Sequence, residues 1–113
     1  MIQEFEITQA YRRLSNALGD AHELSESAIK ARTAVSTLVA EATFDGRIDG
    51  KNEAAREAQA RALFADAYKS LDEAERWARE VRHRVEVQRL EVEEARARLR
   101  LAEVLAGAQA SAA

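Results

Sequence analysis

Between Phe64 and Ala106 the chain carries a track that steps alternately by three and four residues. It reads Phe64, Ala67, Leu71, Ala74, Ala78, Val81, Val85, Gln88, Val92, Ala95, Leu99, Ala102 and Ala106. Only Gln88 is polar, and no Gly or Pro intervenes before Gly107. A repeat averaging 3.5 residues keeps one stripe of a helix in line along its whole length, so such a helix packs lengthwise against others. The spacing predicts a helix over about 52–105.

A second track precedes it: Ile7, Ala10, Leu14, Ala17, Ala21, Leu24, Ala28, Ala31, Val35, Leu38 and Ala42. It predicts a first helix over about 4–43. Gly19 is its weak point, since Gly costs about 1 kcal/mol against Ala inside a helix, yet the track keeps its phase there. Residues 44–51 hold two Asp-Gly pairs, Asp45-Gly46 and Asp49-Gly50, which are strong turn signals. Asp49 or Asn52 can cap the second helix, with Glu53 well placed in its first turn. The acidic turn lacks the alternating ligands and closing Glu of a calcium loop, so it reads as a connector. Residues 106–113, beginning at Ala106-Gly107, read as a helix stop and a frayed end.

A short connector makes the helices antiparallel neighbours. The expected fold is therefore all-α: one domain over 1–113, an antiparallel, coiled-coil-like hairpin of two long helices. If Ala42 sits across from Ala54, Ile7 falls near Arg89 and residues 90–105 have no partner in the chain. A second track through Val87, Leu90, Glu94, Ala97, Leu101 and Val104, apolar except at Glu94, runs into that stretch, with Leu105 beside it. Exposed apolar faces mark interfaces, so the chain is expected to assemble into a helical-bundle homo-oligomer through these residues.

Composition excludes several functions. The chain has no Cys, hence no disulfide, thiolate chemistry or Cys-based zinc site. Its N-terminus is acidic and lacks a signal-peptide pattern. No apolar run reaches the roughly 18 residues that span a bilayer, so a cytoplasmic location and no membrane partner are expected. The net charge of −3 suits neither a nucleic-acid mimic nor a general nucleic-acid binder. Residues 1–46 carry four basic and seven acidic side chains, whereas the remainder balances at thirteen of each.

Candidate chemistry is sparse. Glu80 and His83 have the E-x-x-H spacing of bundle metal sites, but Arg79, Arg82 and Arg84 around them would repel a cation. No metal or other cofactor is expected. Arg76, Arg79, Arg82, Arg84 and Arg89 form a local basic stripe. Nucleic-acid phosphate is one candidate ligand for it. Pairing with Glu on a neighbouring helix is the plainer reading, because Arg82, Arg89 and Arg96 recur every seven residues beside the seam. Tyr68 and Trp77 lie beside the seam and are candidates for a partner-protein hot spot. Gln88, polar within an apolar seam, is the type of residue that fixes register or oligomer state. No nucleophile triad, phosphate loop or carboxylate dyad can be placed, so catalysis is not expected.

The run from Ile48 to Gln59, I-D-G-K-N-E-A-A-R-E-A-Q, followed by a long charged helix, resembles a pattern of small helical-hairpin proteins of bacteriophages and prophages. In those an I-x-G-K-N-x-x-x-R-x-A stretch likewise opens the second helix. Here Asn52 would be the cap, and Arg56 would reach back to Asp49 or to a neighbouring chain. The resemblance implies a phage or mobile-element accessory protein, acting in the host cytoplasm.

Overall fold

The computed structural model describes residues 2–112, with side chains over 4–111. Among these residues the chain is all-helical: α1 spans Ile2–Phe44, α2 Glu53–Leu63 and α3 Ala65–Ala112. It forms two compact units, Met1–Ala21 with Glu80–Ala113, and His22–Arg79. All eleven expected seam positions of α1 are buried or half-buried, as are those from Phe64 to Ala102. Gly19 lies inside an unbroken α1, with open space where a Cβ would stand.

In the unit His22–Arg79, α1 ends in a Schellman motif. Gly46 takes φ +77°, its N–H donates to the Thr43 carbonyl (3.2 Å), and the Arg47 N–H donates to the Ala42 carbonyl (2.8 Å). Ile48 then turns inward at 4 % exposure and joins Val35, Ala42, Ala60 and Tyr68 in one apolar cluster. Burying such a side chain contributes about 1.5–3 kcal/mol. The connector does not close tightly, as two turn signals suggest. It runs along α2, where the Gln59 Oε1 accepts from the Asp49 and Gly50 N–H groups at 3.0 and 2.7 Å.

The structure corrects the single second helix. Phe64, at φ −119° and ψ 42°, separates α2 from α3, although its N–H still donates to the Ala60 carbonyl at 2.9 Å. In a straight helix the four-residue steps from Ala60 to Phe64 to Tyr68 drift about 40° each. The non-helical dihedrals at Phe64 interrupt that drift, and all three side chains reach the same core. Tyr68, expected beside the seam, is thereby buried at 9 % exposure.

In the unit Met1–Ala21 with Glu80–Ala113, ion pairs give the register. Glu6 faces Arg98 (4.0 Å), Arg13 faces Glu91 (3.8 Å), and Asp20 pairs with Arg84. These pairs recur every seven residues along one flank of the seam, the flanking-charge pattern of a coiled coil. The antiparallel partners sit about eight residues farther along α3 than a tight turn at Ala42–Ala54 would place them. Residues 90–102 are consequently not an unpaired overhang. Val92 is buried, and Ala95, Leu99 and Ala102 are half-buried.

The expected helix stop at Gly107 is also corrected. Helix α3 runs through it to Ala112. Gly107 does not adopt positive φ, and the alanines around it outweigh the cost of about 1 kcal/mol for one glycine. Residues 103–111 are all exposed.

Candidate interaction surface

The outward side of α3 is built by the phase of its own seam. Residues two and five places after Val85, Val92 and Leu99 point away from α1. They include Val87, Leu90, Ala97, Leu101 and Val104, interrupted by Glu94. Val87 is 37 % exposed, Leu90 64 %, Leu101 60 % and Val104 62 %, and the adjoining Leu105 is 53 % exposed. These are the residues expected at an interface. They lie on the outer face of a helix that is paired through its inner face, rather than on an unpaired end. The Glu94 carboxylate accepts from Arg98 Nη2 at 2.6 Å.

The basic stripe is divided among different surroundings. Arg84 is held by Asp20 on one flank of α3. Arg79 lies near Glu75, whose carboxyl is held below the usual range first by a hydrogen bond from Arg32 (2.5 Å), with burial opposing and the charges of Arg32 and Arg79 adding to the shift. The Arg76 guanidinium sits 5.6 Å from the centre of the Trp77 ring. Arg82 also interacts within the chain. Arg82 and Arg89 lie on the flank opposite Arg84, in a row where Glu86 and Glu93 alternate with them. A polyanion would meet glutamates at every heptad of that row.

The candidate hot-spot residues separate as well. Trp77 is 51 % exposed, whereas Tyr68 belongs to the core. This corrects Tyr68 as a docking residue. Its ring packs beneath the Arg61 guanidinium, 4.7 Å from the ring centre. Burial pushes its hydroxyl up from the ordinary range, Glu57 adds to that, and Arg61 opposes it.

At the connector, Asn52 caps α2 by accepting from the Ala55 N–H at 2.8 Å. Arg56 reaches back to the Gly50 carbonyl (3.1 Å) rather than to Asp49. Asp49 instead accepts from Gln59 Nε2 at 2.8 Å. Gln59 is therefore the organising side chain of this corner, and no local signal in the sequence singles it out. Ile48 did leave a signal, as the only apolar side chain between Phe44 and Ala54.

Gln88 sits half-buried in the seam, and its Oε1 is buried without a hydrogen-bond partner. The Glu91 Oε2 is likewise inward and unbonded, within ion-pair range of Arg13 but beyond hydrogen-bond reach. Among the described residues no group of three or more His, Asp or Glu side chains is arranged to hold a metal. Nor is any helix long and apolar enough to cross a membrane. No family model, curated protein or solved structure matches the chain.

Proposed function

We propose that the protein is a non-enzymatic, self-associating helical interaction module. The carrying observation is the apolar outer face of α3, with Val87, Leu90, Leu101 and Val104 exposed on one side and Leu105 at its edge. A helix that has buried one stripe in its own hairpin and still presents a second has the surface for a further helical layer. The thin interior supports the same reading. In this unit the buried residues are Ala10, Ala17, Val81, Val85 and Val92, which are small side chains for a core, and added helices would enlarge it.

Nucleic-acid binding has weaker support, because the arginines are spread over both flanks and interleaved with glutamates. A phage or mobile-element setting rests on the resemblance at Ile48–Gln59 alone. The decisive experiment is sedimentation velocity on the wild type and on Leu101→Glu. Leu101 is already exposed within the chain, so the substitution leaves the hairpin folded while placing a charge in the contact. The reading expects a concentration-dependent oligomer that Leu101→Glu converts to monomer with unchanged helicity. Identical sedimentation of the two proteins as monomers would contradict it. Duplex DNA at low salt is expected to leave the wild-type boundary unmoved; a salt-sensitive shift would favour the basic stripe.

A further inference from the structure

The outer face of α3 carries its charged and apolar residues in a nearly palindromic order. Acidic residues Glu91, Glu93 and Glu94 come first, and basic residues Arg96, Arg98 and Arg100 follow. A two-fold rotation about the midpoint between Ala95 and Arg96 exchanges Glu91 with Arg100 and Glu93 with Arg98, while Glu94 exchanges with Ala97 and Arg96 with Ala95. The same rotation exchanges Val87 with Val104 and Leu90 with Leu101, the four large exposed apolar residues of the face. Acidic, basic and apolar positions thus nearly share one centre.

We propose that this face docks against the same face of a second copy, with the two α3 helices antiparallel and the two-fold axis beside Ala95–Arg96. The proposal rests on the self-associating reading and specifies its geometry. Antiparallel helices bring like flanks together. Glu93 and Arg100, seven residues apart, share one flank, so Glu93 of each copy meets Arg100 of the other. Glu91 and Arg98 share the opposite flank and meet in the same way, joining the ion pairs they already make with Arg13 and Glu6. Glu94, held by Arg98 of its own chain, falls opposite the small Ala97 of the second copy. A parallel arrangement would bring unlike flanks together instead, leaving Glu93 nearest Arg98 of the other copy and Arg100 facing Leu105 rather than a carboxylate. An isologous, closed contact of this kind yields a dimer rather than an open fibre.

Two measurements test it. Light scattering establishes whether the wild type is dimeric. Spin labels on cysteines introduced by Ser111→Cys, and separately by Ala97→Cys, then report the arrangement, since the chain has no cysteine of its own. Antiparallel docking predicts labels about 45 Å apart at position 111, from the 1.5 Å rise per residue. It predicts labels about 10–15 Å apart at 97, from the usual spacing of packed helices. Short distances at both positions in a dimer would overturn this geometry while leaving self-association intact. A wild-type monomer would overturn both. As a charge test, Glu93→Arg and Arg100→Glu each set like charges together when alone and opposite charges when the two proteins are mixed. Heterodimer is therefore expected to exceed its statistical half in the mixture, and a purely statistical mixture would contradict the proposed pairing.

Discussion

Gly50 shows how one position governs a corner of the fold. A Cβ there would stand 2.7 Å from the Arg56 backbone nitrogen and 2.9 Å from Ala55, with backbone rather than a flexible side-chain end in the way. Gly50→Ala should destabilise the protein by about 1–3 kcal/mol, read as a lower thermal midpoint by circular dichroism. Gln88 argues in the other direction. Its buried, unpartnered Oε1 has lost water without gaining a donor. Gln88→Met keeps an unbranched side chain and removes that cost, so the midpoint should rise by about 1 kcal/mol of stability. An unchanged or lower midpoint would mean that the amide has a role in register that outweighs its desolvation. Glu75 gives a pH dependence. Its carboxyl titrates below the ordinary range because Arg32 donates to it, so its stabilising effect is present above the unfolded-state pKa. That effect is lost as pH falls through the depressed value. The midpoint of Arg32→Met should therefore trail the wild type at pH 7 and converge with it at pH values below the usual glutamate range. A constant gap over that range would contradict the linkage.

At the scale of elements, the helical periods were legible and the register was not. Every expected seam position from Ile7 to Ala42 is shielded, because a 3.5-residue repeat dictates which face turns inward whatever lies opposite. Register depends instead on how the connector packs. The two Asp-Gly pairs mark chain reversal but do not reveal that Ile48 is buried or that Gln59 holds the Asp49 and Gly50 amides along α2. Those contacts set Ala42 in one cluster with Ala60 rather than opposite Ala54. In the unit Met1–Ala21 with Glu80–Ala113, Arg13 meets Glu91, and the expected overhang is largely paired. The break at Phe64 was hidden for a similar reason, since its apolar ring fits the seam pattern and only the backbone dihedrals depart from it. Ile48→Ala is the matching test. It should cost about 2–5 kcal/mol, with the loss visible in thermal unfolding. A loss below 1 kcal/mol would show that Ile48 does not anchor the connector.

For the whole molecule, the sequence showed which apolar residues are left over but not where their partner is. Val87, Leu90, Leu101 and Val104 are exposed as their phase implies, and the paired register places them on an outer face instead of a bare helix end. The acidic and basic blocks of α3 nearly cancel, so association through this face brings opposite charges together without accumulating net charge. Salt should weaken that attraction while leaving the apolar contacts in place. The most direct measurement is the solution mass of the wild type by light scattering across a dilution series at physiological salt. Self-association predicts a mass approaching twice the 12.5 kDa of one chain at the concentrated end, falling towards 12.5 kDa on dilution. A mass of 12.5 kDa at every concentration, up to the solubility limit, would contradict it.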